Sequence, residues 1–311
     1  MISLRLWIGV GCLAALTACG DRGDTSSGGS GGGGVELPAP KPLVVATWNL
    51  HNFYNHLIDD PGQANLEATD PAWGQHRVDV GLALKAIDAD ILLLQEVEST
   101  AVLQELNQME LDGRYSDVVV IDANDPRGID VGVMSKVPLD ATISHSEEFF
   151  AKEGTNGPDY IFARDVLEVH LTFNGRAIVM LNVHYKAKEN DDPDKRLAEA
   201  QRTRAIADEI TAAAPETALL IAGDFNDLPG SPPYDAAAGA PPDVYSNAAI
   251  HVDEADRWTF DFQGSLELVD HMLSNPLMAA RLDAASVVIR HDPEFQPASD
   301  HAPIIATYQI N

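Results

Sequence analysis

The sequence predicts an α/β protein in which two sheets pack on each other and helices cover their outer faces. Short runs of Val, Ile and Leu, bounded by Asp, Asn, Gly or Pro, recur along the chain as strands do. Several runs are apolar at nearly every position, as expected of strands covered on both faces. Between them lie segments with helical spacing. The longest, Asp194–Ala213, sets Ala200, Thr203, Ile206, Ala207 and Ile210 on one side.

Taken in order, strands are expected at Leu43–Thr47, Ile91–Leu94, Val118–Ile121, Val131–Met134, Val166–Leu171 and Ile178–Val183. Further strands are expected at Ala218–Ala222, Leu268–Leu273, Ser286–Ile289 and Pro303–Tyr308. Arg77–Ile87 and Ala101–Asn107 read as helices. A chain of 311 residues, 45% of them hydrophobic, can bury a substantial core. No second linker or repeat follows Pro42, so one domain spanning 42–311 is expected.

Ahead of it, Arg5 precedes an apolar run, Leu6 to Ala18, that is too short for a bilayer span of about 20 residues. Residues 1–18 read as a signal peptide. Leu16-Thr17-Ala18-Cys19 resembles the lipobox of bacterial lipoproteins, in which the cysteine carries the lipid. A plain secretory signal is the alternative. Gly20 after the cysteine, rather than Asp, favours the outer membrane by the same resemblance. Residues 19–41 then hold the anchor and a Gly/Ser-rich tether. The expected location is the bacterial envelope, on the membrane through lipidated Cys19. With Cys12 in the signal and Cys19 as anchor, the folded part has no disulfide, thiolate nucleophile or cysteine-bound zinc.

The formal charge is −28, and loss of residues 1–18 removes only Arg5. Such a surface repels long polyanions and counts against tight, nonspecific nucleic-acid binding. It does not exclude hydrolysis of a polyanion, because a metal and local basic residues can reverse the field inside a cleft.

Polar motifs stand at the ends of the apolar runs. Asn49, in Thr47-Trp48-Asn49-Leu50-His51-Asn52, can offer a carboxamide oxygen to a metal or phosphate, or serve as a turn residue. Glu96 follows three leucines and must be paired, solvated or metal-bound. His184 ends the run Ile178–Val183 and precedes a stretch, with Lys186 and Lys188, that is near neutral in a strongly acidic chain, which suits a phosphate-facing rim; a structural histidine is the plainer alternative. Asp224 and Asn226 lie two apart after Gly223, on one side of an extended chain, where they can hold a cation or a water. Asp270 is the candidate orienter of His301, whose imidazole can take a proton from water. No Gly-x-Ser-x-Gly elbow or His-Glu-x-x-His spacing occurs.

Taken together, these motifs, with the Phe162–Val169 segment that carries Arg164, resemble the endonuclease/exonuclease/phosphatase superfamily across Leu43–Tyr308. That superfamily includes nucleases of the DNase I type, apurinic endonucleases, inositol polyphosphate 5-phosphatases and neutral sphingomyelinases. The resemblance implies a four-layer α/β/β/α sandwich with one site between the edges of the sheets. It implies Mg²⁺ or Mn²⁺ on Glu96, with Asn49 and Asp300 nearby. Asp224 and Asn226 would position water and phosphate, and His301 with Asp270 would act as base or transition-state stabiliser. Arg164 and His184 match positions that contact phosphate oxygens, and Lys186 is a further phosphate-binding candidate. His271 departs from the Tyr or hydrophobic residue common after the matching Asp and receives no role.

The expected activity is therefore metal-dependent phosphoester hydrolysis, foremost as an extracellular nuclease or phosphodiesterase acting as a monomer. A sphingomyelinase-like or inositol-phosphatase-like enzyme is the second reading, and a non-catalytic surface binding module the third. Substrate choice is expected to reside in Phe53–Gln75 and Ser146–Tyr160, which read as loops near the cleft. No protein partner is inferred.

Overall fold

In the computed structural model, residues 38–55, 57, 70–154, 156–157 and 159–311 are described. They lie in one compact unit, Pro38–Asn311. The expected signal peptide, Cys19 and most of the tether lie outside the described residues.

The elements run β1 (Lys41–Phe53), α1 (Asp70–Ile87), β2 (Ile91–Val97), α2 (Thr100–Glu110), β3 (Asp117–Val120), β4 (Asp130–Ser135) and β5 (Leu139–Ser144). Then come β6 (Val166–Phe173), β7 (Arg176–His184), α3 (Pro193–Ala213), β8 (Ala218–Asp224), α4 (Pro232–Ala238) and β9 (Ser246–Asn247). The chain closes with β10 (Phe260–Phe262), β11 (Ser265–Glu267), β12 (Asp270–Ser274), α5 (Pro276–Ala279), β13 (Leu282–Ile289) and β14 (Ile304–Ile310).

One sheet has the order β13-β14-β1-β2-β4-β3 and the other β5-β6-β7-β8-β12-β9. Leu43, Val45, Leu93 and Val133 from the first meet Leu167, Met180 and Leu220 from the second in the central core. The alternate residues face outward. Leu92 and Leu94 pack on Val80 and Leu84 of α1 and Leu103 of α2, while Val179 and Leu219 pack on Ala200 and Ile206 of α3. The unbroken apolar runs thus come from strands buried on both faces, and the layering is the expected α/β/β/α.

A buried polar contact joins the two sheets. Gln95 donates from Nε2 to Thr47 Oγ1 at 3.1 Å and to Asn182 Oδ1 at 2.7 Å. Asn182 in turn donates to the carbonyls of Leu94 and Gly132. The Gln95 amide nitrogen and both ends of the Asn182 carboxamide are paired, while Gln95 Oε1 is buried without a partner among the described residues. The bonds that are made fix one relative placement of the sheets, because any slip breaks them.

Several elements differ from expectation. β5 has mixed polarity and little burial because it is a sheet edge. The β10–β11 hairpin and α4 were not anticipated. Asp70–Gln75, expected as loop, begins α1, and 58–69 lie outside the described residues.

Candidate active site

The motifs gather at one end of the sandwich because the parallel pairs β1–β2 and β7–β8 finish there. Register does the finer placement. His184 pairs with Asp224 across β7–β8, and Asp224 pairs with Asp270 across β8–β12. The three side chains therefore occupy one row on adjacent strands, spaced by the strand separation of about 4.8 Å.

Glu96 reaches the site through a bulge. Gln95 opposes Val131 and Val97 opposes Asp130, so Glu96 is the extra residue, and its φ is +60°. Asn226 also has positive φ, 52°. Left-handed backbone at non-glycine residues costs energy and is held here by tertiary contacts. Gly223 is required by its own surroundings: at φ +139° a Cβ would lie 2.0 Å from the carbonyl oxygen of Val183.

Asp224 is buried. Its Oδ1 accepts the Asn226 N–H at 2.7 Å and its Oδ2 accepts Asn49 Nδ2 at 3.0 Å. Burial, with the Asp270 charge second, pushes its carboxyl well above the ordinary range. Nε2 of His184 stands 3.5 Å from Asp224 and 4.0 Å from Glu96, so the two carboxylates flank one point. Burial, then Arg164, His301 and Arg127, holds that imidazole neutral.

His301 Nδ1 lies 2.8 Å from Asp270 Oδ2, which leaves Nε2 for the cleft. Burial opposes its charged form, yet Asp270, Asp224 and Asp300 outweigh burial and raise its pKa. Three further contacts fix the loop: Ser299 Oγ donates to the Asn49 carbonyl, the His301 N–H to Ser299 Oγ, and Trp48 Nε1 to the His301 carbonyl. Thr259 Oγ1 accepts the N–H groups of Val269 and Asp270, while its carbonyl accepts the Ala302 N–H. Thr259 is fully buried and holds both halves of the Asp270–His301 pair.

Glu96 and Asp300 lean on the same turn. Glu96 Oε2 accepts the Asn52 N–H at 2.8 Å, and Asp300 Oδ1 is 3.6 Å from His51 Nδ1. Asn49 opens that turn, its Oδ1 accepting the His51 N–H. This oxygen-only set has the chemistry of a hard divalent cation site. Asp224, Asp270 and His301 offer ligand atoms within 4.8 Å of one another and form a second group of metal-binding spacing. Asp270 Oδ1 is buried with no hydrogen-bond partner among the described residues.

Arg164 is nearly buried. Its Nε is 2.8 Å from Asp125 and one terminal nitrogen donates to the Tyr185 carbonyl. Lys186 Nζ donates to the carbonyls of Ala187 and Glu189. Glu199, buried on α3, accepts the N–H groups of Ala163 and Lys186, each at 2.6 Å, and so fixes the backbone beside both cations. Arg202 pairs with Glu148 and Glu209, and Arg204 with Asp208, so these two serve the α3 surface.

His271, unassigned from sequence, is structural in its contacts. Nε2 donates to the Asp227 carbonyl at 2.9 Å and Nδ1 accepts from Asn247 at 3.1 Å, with Phe225 and Tyr234 against the ring. Burial pulls its pKa down to about 4, and the ring is neutral. Sequence reasoning passed over Asp125, Arg127, Glu199 and Thr259. For Arg127 a signal existed: a lone basic residue in an acidic chain, just ahead of the apolar run Val131–Met134.

Residues 44–297 match the profile of the Endonuclease/Exonuclease/phosphatase family, and the chain belongs to that family, whose members hydrolyse phosphoesters. No curated protein matches the sequence. Among solved structures, the chain is similar to an endonuclease/exonuclease/phosphatase from Bacteroides vulgatus, with 18% identity over 87% of this chain and 100% of that one, TM-score 0.59. It is also similar to the human Nocturnin catalytic domain with bound sulfate anion, with 17% identity, coverage of 87% and 95%, and TM-score 0.63. For D. rerio TDP2 humanized by 14 mutations the values are 18%, 86% and 99%, and 0.59. At these identities the likeness is one of fold.

Proposed function

We propose that this protein is a divalent-metal-dependent phosphodiesterase, and that its reaction is in-line attack of water on phosphorus. One observation carries the reading: the row His184, Asp224 and Asp270, with His301 on Asp270, faces Glu96 across the junction of the sheets. A carboxylate with raised proton affinity, Asp224, accepts the proton of the attacking water, and Asn226 helps to seat that water. His301, held through Nδ1, presents Nε2 to a phosphoryl oxygen. His184, Arg164 and Lys186 line the phosphate side. Glu96, Asp300 and Asn49 would hold Mg²⁺ or Mn²⁺. Such a cation supplies neutralisation of charge on the phosphoryl oxygens.

A cavity of about 590 Å³ adjoins His301 and Asn226 and is lined by Phe260, Phe262 and Val269 beside Glu189 and Glu267. Its rim also carries Lys188, paired with Glu267 at 3.5 Å, and its apolar wall favours a phosphodiester with a compact organic group. This supports a small-substrate or lipid phosphodiesterase as the second reading, beside an extracellular nuclease.

Hydrolysis of plasmid DNA, sphingomyelin and bis-p-nitrophenyl phosphate with Mg²⁺, Mn²⁺ and Ca²⁺ distinguishes these readings. Full activity in chelator would remove the metal-dependent one. The export proposal, with residues 1–18 cleaved, Cys19 lipidated and 19–41 as tether, rests on sequence. Detergent-phase partitioning lost in Cys19→Ala is its expected signature, and unchanged partitioning of that variant would remove the anchor.

A further inference from the structure

Arg127 stands in the loop between β3 and β4, three residues ahead of Asp130, which pairs with Val97 beside Glu96. The loop therefore hangs at the same strand ends as the candidate site. The Arg127 guanidinium grips Asp125 with Nε and one terminal nitrogen, each 3.1 Å from a carboxylate oxygen. The same carboxylate pairs with Arg164, whose Nε lies 2.8 Å from Oδ2, the oxygen that an Arg127 terminal nitrogen also reaches. Two guanidinium groups on one carboxylate leave a surplus positive charge.

Exposure says which residue presents that charge. The side chains of Asp125 and Arg164 are 6% and 5% exposed, whereas that of Arg127 is 39% exposed. Its second terminal nitrogen has no partner among the described residues. Burial works against its charge, but Asp125, Glu96 and Glu189 hold it above its ordinary value. The neighbouring cations are engaged: Lys186 by two carbonyls, Lys188 by Glu267 at 3.5 Å, and Arg196 by Asp191 and Asp227. A planar guanidinium, clamped on one edge and open on the other, is suited to phosphate oxygens.

We propose that Arg127 is a substrate-binding residue of this site, donating from its open edge to a nonbridging oxygen of the phosphoryl group, with Asp125 and the buried Arg164 as its positioning residues. The assignment rests on the phosphodiesterase reading above and moves the principal phosphate-facing cation from Arg164 to Arg127. Arg164 then acts through Asp125 as a brace.

Inorganic phosphate is the probe, measured as an inhibitor of bis-p-nitrophenyl phosphate hydrolysis and by direct calorimetric titration with Mg²⁺ present. Loss of one charge-assisted hydrogen bond predicts that Arg127→Met raises the phosphate Ki and the substrate KM by roughly 10- to 100-fold. Arg127→Lys, which keeps the charge on Asp125 but lacks the fork, is expected to raise Ki severalfold at an unchanged melting temperature. If Arg127→Met does not fold, Arg127→Lys decides alone. Phosphate affinity within twofold of wild type in a folded variant overturns the assignment. A wild type that binds phosphate through Arg127 but hydrolyses no phosphoester would sink the catalytic reading and leave this one standing.

Discussion

The carboxamide nitrogen of Asn49 lies 3.0 Å from Oδ2 of Asp224, a bond between a strand of the first sheet and the last residue of a strand in the second. It sits above the Gln95–Asn182 contact, so the two sheets are joined both beneath the candidate site and within it. Replacing Asn49 with Ala takes a donor from a buried carboxylate. The expected result is a kcat lower by about 10- to 100-fold, the scale of one preorganised donor, and a stability lower by roughly 1–3 kcal/mol from the buried carboxylate oxygen left without its partner. A kcat within twofold of wild type would show that Asp224 needs no such partner.

Asp270 and His301 are expected to fail as a unit. Each single change, Asp270→Asn or His301→Ala, should lower kcat by roughly 10² or more, and the double variant should fall little further. Fully additive losses in a double-mutant cycle would mean that the 2.8 Å contact is incidental to turnover.

Glu199 anchors two loops from inside the protein. Its removal in Glu199→Ala leaves the Ala163 and Lys186 N–H groups without acceptors. The expected cost is roughly 2–5 kcal/mol, read as a lower urea midpoint. An unchanged midpoint would contradict the buried clamp.

A second network gives a pH signature. His145 Nδ1 lies 2.7 Å from Glu148 and its Nε2 2.9 Å from Glu168, which also pairs with His170. Burial opposes the His145 charge, but the two glutamates raise its pKa above 6.5. Burial likewise opposes ionised Glu168, while His145 and His170 hold it down at about 2 against an ordinary 4.5. The Glu168 contribution is present above pH 4.5 and fades as pH falls towards 2. That of His145 is complete below pH 6.5 and fades as pH rises through its raised value. The melting-temperature gap between wild type and Glu168→Gln should therefore be widest between pH 4.5 and 6.5. A gap independent of pH would exclude the ion pairs as its source.

The parts of the fold legible in sequence are those whose cause is local. Leu92, Leu93 and Leu94 announce a strand buried on both faces, and Glu96, Asp224 and Asp270 stand out because they interrupt or follow such runs. β5 escaped because an edge strand carries no continuous apolar signal, and the β10–β11 hairpin because Phe260 and Phe262 alternate with acidic or turn residues. Glu199 reads as one more solvated charge on a helix, since its burial is decided by the loops at 163 and 186. Arg127 stands out in sequence as a lone basic residue, but its pairing through Asp125 with Arg164, far along the chain, is visible only after folding.

The row His184, Asp224 and Asp270 also bears on how such a protein can change over time. Its spacing is set by backbone pairing between strands, so an insertion in the 146–160 segment or the β10–β11 hairpin leaves it where it is. Under the function proposed above, the groups that react are thereby held apart from the rim that would select a substrate, and one can be altered without moving the other.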